Sequence, residues 1–485
     1  MGRRFSDRLA GAHVLVTGAG VTGPPVAKAL LAAGAVVTVT DANADRLGAL
    51  ADALPDVRIV RDVAQPPPDT ALVVTAPGWR PATPVLARAA ADGIEVIGDV
   101  ELAWRIGAEQ AEPPVWLAVT GTNGKTTTVG MLAEILRAAE LDAVACGNIG
   151  LPVIEAVAAG HRVLAVELSS FQLHWAPSVR PAAGALLNIA EDHLDWHGDL
   201  AAYTAAKARI LTGDVAIAGV DDPAVARMLA DAPARRRIGV RLGEPGPGEF
   251  GVAGGNLIDR AFAAGFAEGE ALAEVADVRP AGPPGVFDAL TAAALARCHG
   301  VAAAAIAAGL RAYEPAAHRA AIVGDVDGVR YVDDSKATNP HAAAASLAAH
   351  DRVVWIAGGL LKGARVDDLV AGAAHRLVGV VLIGADADVI ATALARHAPD
   401  VPVRRPSAGD DGAMSMSSAV LAARAMARPG DVVLLAPAAA SMDMFTDYRE
   451  RGRAFTDAVT ALPTPSLPTA ALPTVLPTPS LPERG

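Results

Sequence analysis

The stretch VWLAVTGTNGKTTT (Val115–Thr128) decides how the chain is read. VWLAVT is a short apolar run suited to a buried strand. A turn bracketed by Gly121 and Gly124 follows, and then Lys125 and three threonines open a helix. In such a strand–turn–helix layout, backbone N–H groups face an anion at a helix N-terminus. The turn reads TGTNGKT, close to a phosphate loop but without the first part of the strict pattern. Lys125 is placed to meet terminal phosphates, and the Thr126 hydroxyl to help hold Mg2+. Earlier in the chain, HVLVTGAGVTG (His13–Gly23) ends in Gly18, Gly20 and Gly23, the spacing of a dinucleotide-binding turn. Alone, that first motif says NAD; the second says ATP.

The 485 residues are too many for one ordinary core, and three domains are expected. With 52% of residues apolar and only 4% aromatic, the chain suits packed α/β layers and is not broadly disordered. A net charge of −12 argues against a nucleic-acid partner. Anionic ligands must then be held by local sites. Cys146 and Cys298 are far apart, without metal-ligand spacing, and read as small buried residues of a reducing compartment. No run of about 18 apolar residues suggests a membrane span, and MGRRF is not followed by a signal-like segment. A cytoplasmic protein is expected.

The basic residues are 36 arginines and only five lysines: Lys28, Lys125, Lys207, Lys336 and Lys362. Where Arg replaces Lys wherever either will do, the remaining lysines mark places that need a compact ammonium or one able to lose its proton. Lys28 sits on an expected helix and reads as incidental. The other four fall inside motifs.

The first hundred or so residues alternate strand and helix as a βαβ domain, with strands in AHVLVT, AVVTVT, ALVVTAPG and GIEVIGD and a helix from Val21 to Ala33. A second unit opens with VWLAVT and continues through RVLAVEL and AAGALLNI, closing with a helix from Phe287 to His299. Arg235 to Pro284 has no clear assignment. A third unit starts near Ala316, with strands in VRYVDD, RVVWIAGG, VGVVLIG and DVVLLAP that suggest another parallel sheet. The tail from Leu462, rich in Leu-Pro-Thr, favours extended conformations without a core and is expected to be disordered.

Glu167 ends one apolar strand and His193 follows another, so both could ligate a metal bridging phosphates beside the turn. Lys207, in YTAAKARI, could lose its proton and take up CO2 as a carbamate, which Arg cannot do. Asp334, Lys336 and Thr338 alternate after a strand, and would face one way in an extended loop. Lys362 in GGLLKG and Ser441 in APAAASMDMF also follow strands. Strand C-terminal ends form the usual ligand crevice of an open α/β sheet.

Taken in order, TGTNGKTTT, CGNIGLP, ELSSFQL, EDHLD, YTAAKARI, HR, DDSKATN and GGLLKG resemble the Mur ligases, which build the peptide stem of bacterial cell-wall precursors. The likeness covers about residues 10 to 460. With GxGxxG, TAPG and GDVEL in the first domain, it is greatest to the branch that adds D-glutamate. The resemblance implies an α/β fold of three domains: a Rossmann-like UDP-substrate domain (1–103), a central P-loop ATPase-like domain with a mainly parallel sheet (104–315), and a Rossmann-like amino-acid-binding domain (316–461), before the tail at 462–485.

It also implies an ATP-dependent amide ligase joining D-glutamate to UDP-N-acetylmuramoyl-L-alanine through an acyl phosphate, with two Mg2+ ions, no NAD, and a monomer. Catalysis is implied for Lys125, Glu167, His193, Lys207 and Lys336. ATP would be held by Gly121, Thr122, Asn123, Gly124, Lys125, Thr126, Thr127, Asp288, Arg319 and Asp334. Thr126 and Glu167 would serve one Mg2+, His193 and carbamylated Lys207 the other. The UDP substrate falls to Gly20, Val21, Thr22, Asp41, Gly78, Asn148 and Ser169. D-glutamate falls to Thr338, Lys362, Ser441, Met442 and Tyr448.

The chain departs from the family at three places. Asp288 stands where an Asn usually meets the nucleotide, GGLLK replaces a more polar loop, and Ala76 stands where Ser is common in the uridine-side loop. Three rivals stay open at this level. One is another amino-acid-adding member or a folylpolyglutamate synthase relative. The second is an NAD-dependent dehydrogenase, although no catalytic acid–base pair is evident near residues 18 to 100. The third is a non-enzymatic scaffold, which gives Glu167, His193 and Lys207 no reason to converge.

Overall fold

The computed structural model describes residues 4–262, 268–315, 317–406 and 411–462. It divides into two compact units. One is Met1–Arg319 with Asn339–Ala345 and Leu361–Arg365; the other is Ala320–Thr338, Ser346–Leu360 and Val366 onward.

The first unit holds two sheets. In the first lie β1 (His13–Thr17), β2 (Val36–Thr40), β3 (Arg58–Ile59), β4 (Thr70–Thr75) and β5 (Glu95–Gly98). Their order is β3-β2-β1-β4-β5, parallel throughout. The strand order reverses beside β1, so the glycine turn after β1 and the loop after β4 share the crevice where such sheets bind ligands. The helix expected from Val21 runs Gly23–Ala32, with Pro24 and Pro25 in its first turn. Proline suits that turn because its N–H would be unpaired anyway. It also means that Pro24 and Pro25 offer no N–H to an anion, and the amides of the turn itself must do so.

The second sheet contains β6 (Val115–Thr120), β7 (Ala143–Gly147), β8 (Val163–Glu167), β9 (Ala183–Leu186), β10 (Val215–Gly219), β11 (Arg236–Val240), β12 (Glu249–Ala253), β13 (Asn256–Asp259) and β14 (Glu270–Glu274). The order is β14-β13-β12-β11-β10-β9-β6-β8-β7. The pairs from β7 to β12 are parallel, and β12, β13 and β14 pair antiparallel. The unassigned region Arg235–Pro284 thus contributes the parallel strand β11 and the antiparallel edge β12–β14 of this sheet. β6 lies between β8 and β9, so the turn after it meets the ends of both neighbours. The closing helix begins at Pro283 rather than Phe287, because Pro283 and Pro284 fill its first turn. Its middle is buried on every side, from Asp288 through Ala296.

The second unit has β15 (Ala321–Val326), β16 (Val329–Asp333), β17 (Val353–Gly358), β18 (Leu377–Ile383), β19 (Val403–Arg404) and β20 (Val432–Leu435), in the order β15-β16-β20-β17-β18-β19. It is parallel except for the β15–β16 hairpin, an edge that the sequence reading lacked. Leu462, taken as the start of the tail, packs into this unit's core. The rest of the tail, and Ala316 at the expected boundary, lie outside the described residues. Among the described residues no helix is long and apolar enough to cross a membrane. Cys146 is buried and Cys298 partly so, both as free thiols.

Candidate active site

The phosphate-type turn is built by close packing. Gly124 caps the helix Lys125–Ala138 at φ +88°. A Cβ there would lie 2.3 Å from the Asp288 Oδ1, so only glycine fits. Thr122 N–H donates to Asn188 O at 2.9 Å, Asn123 N–H to Asn188 Oδ1 at 2.9 Å, and Asn188 Nδ2 back to Asn123 O at 3.2 Å. Asn188, just beyond β9, is a turn-building residue that sequence reasoning missed. The Thr122 hydroxyl pairs with Tyr203 Oη at 2.9 Å.

Lys125 Nζ donates to Gly121 O at 2.9 Å and Thr122 O at 2.8 Å. Thr126 Oγ1 donates to Glu167 Oε2 at 2.8 Å, and Asn148 Nδ2 donates to the other oxygen, Oε1, at 2.8 Å. Thr126, Glu167 and Asn148 are therefore brought together. Asn148, expected on the substrate, here also orients the carboxylate. Ser169 caps the short helix Ser170–His174 in a reciprocal capping box with Gln172.

Lys207 is only 2% exposed, yet carries an amine. Its Nζ donates to Gly121 O at 2.7 Å and to Thr120 Oγ1 at 3.4 Å. Burial first, then the Lys125 charge, drives its pKa well below that of a free lysine. A neutral amine has two N–H groups, both used here, and a lone pair left over for an electrophile. His193 takes a left-handed backbone, φ +54°. Burial lowers its imidazole pKa against the opposing pull of Asp192. The neutral ring is the form that ligates metals.

The donor set suits Mg2+ in part as it stands. Thr126 and Glu167 are adjacent oxygen donors of the kind Mg2+ prefers. His193 and Lys207 complete a second set only if Lys207 becomes a carbamate. Among the described residues no group of three or more His, Cys, Asp or Glu side chains forms a metal site by itself.

Asp288, expected beside the nucleotide, accepts from Thr128 Oγ1 at 3.1 Å. Burial pushes its carboxyl up to about 8, against the Thr128 hydrogen bond and the charges of Arg319 and Lys125. The folded chain thus keeps a proton that an unfolded Asp, near 3.8, has released. Stability is lost as pH rises through that window and levels off above about 8. Asp288→Asn lacks this slope. Thermal midpoints at pH 5 to 9 are expected to favour the variant increasingly up to about pH 8; a constant difference would contradict the buried acid. Arg319 Nη1 reaches Thr127 Oγ1 at 3.4 Å.

In the first sheet, Asp41 accepts from Ala19 N–H at 2.8 Å and Asn43 N–H at 2.9 Å. One oxygen braces the glycine turn at Ala19, and the other braces the loop after β2 at Asn43. Gly18 has φ +105°, and a Cβ on it would lie 2.8 Å from the Ala76 Cβ. Gly20 is half-buried and Val21 exposed. Thr22 stands at the N-cap position of the helix Gly23–Ala32 without a side-chain hydrogen bond to it. Gly78 lies in the facing loop after β4, and its carbonyl accepts from the Trp196 indole.

In the second unit, Asp334 N–H donates to Leu435 O at 2.9 Å and Thr338 N–H to Lys336 O at 2.8 Å, fixing the loop after β16. Lys336 Nζ lies 3.9 Å from the centre of the Tyr448 ring. Ser441 is buried and Met442 exposed. The residue that joins these loops was not foreseen. Arg451, 1% exposed, donates to Ser335 Oγ at 3.0 Å, Ser335 O at 2.8 Å and Ala439 O at 3.0 Å. Lys362, in the Leu361–Arg365 segment of the first unit, has a left-handed backbone, φ +53°.

The fold and the two nucleotide-type turns define a class, and comparison with known proteins agrees: the chain belongs to the Mur ligase family. Residues 119–244 match the Mur ligase middle domain, and 318–439 the Mur ligase glutamate ligase domain. At finer grain, it is 54% identical to the UDP-N-acetylmuramoylalanine–D-glutamate ligase of Rhodococcus jostii, over 93% of this chain and 96% of that one. The enzyme of the same name from Mycolicibacterium smegmatis is also 54% identical, over 93% and 97%. Among solved structures, the UDP-N-acetylmuramate–alanine ligase of Thermotoga maritima shares the fold, with a TM-score of 0.56, 17% identity, and coverage of 93% and 99%.

Proposed function

We propose that this chain is an ATP-dependent amide ligase that joins D-glutamate to UDP-N-acetylmuramoyl-L-alanine in peptidoglycan precursor synthesis. The observation that carries the reading is 54% identity, along 93% of the chain, with a relative named for D-glutamate ligation. The clustering of Lys125, Thr126, Glu167 and Lys207 around one turn supports it.

The chemistry splits a difficult step in two. A carboxylate oxygen of the alanyl group attacks the γ-phosphorus of ATP, the bond to the bridging oxygen breaks, and ADP leaves. The D-glutamate amine then attacks the acyl carbon and gives up a proton. The C–O bond to phosphate breaks, leaving the amide, ADP and phosphate.

In this reading residues 1–103 hold the uridine diphosphate through Gly20, Val21, Thr22, Asp41 and Gly78. Residues 104–315 hold ATP through Gly121 to Thr127, with Asp288 beside the turn and Arg319 just beyond. Residues 316–461 supply Asp334 and Lys336 toward ATP, and Thr338, Ser441, Met442 and Tyr448, with Lys362, toward D-glutamate. Asn148 and Ser169 face the muramoyl part. Lys125 offsets charge on the terminal phosphates. Thr126 and Glu167 would hold one Mg2+, and His193 with Lys207 another, offsetting repulsion among the anionic groups. Lys207 would first react as an amine: its lone pair bonds to the carbon of CO2 and one N–H proton leaves to solvent, giving a carbamate. The reading places the enzyme in the cytoplasm, as a monomer without NAD.

The test is phosphate release by the purified chain with ATP, Mg2+ and UDP-N-acetylmuramoyl-L-alanine. Release is expected only on adding D-glutamate. Equal release with L-glutamate or meso-diaminopimelate would refute the assigned amino acid.

A further inference from the structure

The glycine turn and His193 belong to different sheets, yet an unbroken set of contacts joins them. A Cβ on Gly18 would meet not only Ala76 but also the Trp79 Nε1, at 3.1 Å, so the loop after β4 lies directly on the turn. Ala76 N–H ties that loop to Thr17 O at 2.8 Å. Two carbonyls of the loop accept from indoles beside the second sheet. Trp196 Nε1 donates to Gly78 O at 3.1 Å, and Trp175 Nε1 to Trp79 O at 3.3 Å. Arg80 pairs with Asp195 at 2.8 Å in the open, where an ion pair adds little.

Trp196 lies three residues after His193, in the single helical turn Leu194–His197. Phe171 packs on both, with ring centres 4.7 Å from His193 and 4.9 Å from Trp196. The turn closes on His193 itself, whose carbonyl accepts from Trp196 N–H at 3.0 Å and His197 N–H at 3.1 Å. A left-handed, non-glycine backbone such as that of His193 persists only where its surroundings hold it. Here the loop after β4 supplies one of those holds, the Gly78 carbonyl that accepts from Trp196.

We infer that Trp196 is a positioning residue through which a uridine diphosphate group on the glycine turn orders the Asp192–Gly198 segment and so sets His193. The inference rests on the uridine reading of the first turn proposed above. It gives the remote nucleotide handle of the substrate a part in the chemistry: binding energy gained far from the reacting carboxylate goes into orienting groups around it. Coupling of this kind is reciprocal between the two sites.

The experiment is hydrogen exchange on the full chain with UDP alone, in excess chelator, so that neither metal nor turnover enters. The amides of Trp196, His197 and Gly198, all hydrogen-bonded within the turn, are the reporters. UDP is expected to slow their exchange at least about fivefold, the low end of ordinary coupling, together with amides of residues 18–23. In Trp196→Phe, which keeps a ring but loses the N–H, protection at 18–23 should remain while that at 196–198 is lost. Protection of 18–23 with 196–198 unchanged in the wild-type chain would overturn the inference and leave the uridine site standing. Full protection at 196–198 in Trp196→Phe would overturn it too. No protection at 18–23 would defeat the uridine reading and the inference together.

Discussion

Lys207→Ala is expected to lower kcat/KM by roughly a thousandfold, the upper range for removing one preorganised charged group from an active site. The loss should fall mainly on kcat, because the carbamate would act where charge develops. Lys207→Arg should be equally poor. A guanidinium stays protonated and cannot take up CO2, and the buried site has acceptors for only a small amine. Adding formate or acetate to Lys207→Ala should restore part of the activity by returning a carboxylate to the vacated space. Near-normal phosphate release by Lys207→Ala would remove the carbamate role. Loss without rescue by any short carboxylate, in a variant that melts normally, would leave Lys207 as a brace for the Gly121 carbonyl.

Lys125→Ala is expected to cost a comparable factor, roughly a hundred to a thousandfold in phosphate release. Lys125 Nζ donates to the carbonyls of Gly121 and Thr122, at 2.9 and 2.8 Å. It thereby sits at the mouth of the turn that would receive the phosphates. Its point charge can turn toward them with little backbone change. Since the γ-phosphoryl group gains its extra interactions during transfer, the defect should again appear in kcat more than in the KM for ATP. Lys125→Arg is not a conservative change, because the planar fork is larger and differently directed. Unchanged kcat in either variant would contradict the phosphate-facing assignment.

The parallel cores of all three sheets were legible because buried strands carry continuous apolar runs, such as VWLAVT and RVVWIAGG, ended by glycine turns. What escaped has physical causes. The strand Ala143–Gly147 is made of small residues, AVACG, and lacks a β-branched signal at most positions. The antiparallel strands within Arg235–Pro284, EFGVA, NLID and EALAE, are short and mix charged and small residues with few β-branched ones. The hairpin strand Ala321–Val326 is half exposed and reads as loop.

The candidate site was legible where chemistry demands a residue type. Lys125, Thr126, Glu167 and Lys207 stood out because lysine is scarce and the carboxylate ends a strand. Residues that only hold others in place did not. Asn188 braces the turn from 65 positions away, and Trp196 reaches Gly78 across 118. Arg451 clamps Ser335 across 116. Such separations leave no trace in local spacing. The double proline after the first glycine turn was visible in the sequence. Its consequence, fewer helix amides for an anion, became plain only once the helix was seen to start at Gly23.

The central claim is that a carboxylate is activated by phosphoryl transfer and then captured by D-glutamate. It is tested most directly by labelling the alanyl carboxylate of UDP-N-acetylmuramoyl-L-alanine with 18O and running the complete reaction. An acyl phosphate hands one carboxylate oxygen to the phosphate when the C–O bond breaks. Released phosphate should therefore carry one 18O per amide formed, with ADP unlabelled. Amide formation with unlabelled phosphate, or label found in a nucleotide, would contradict the account.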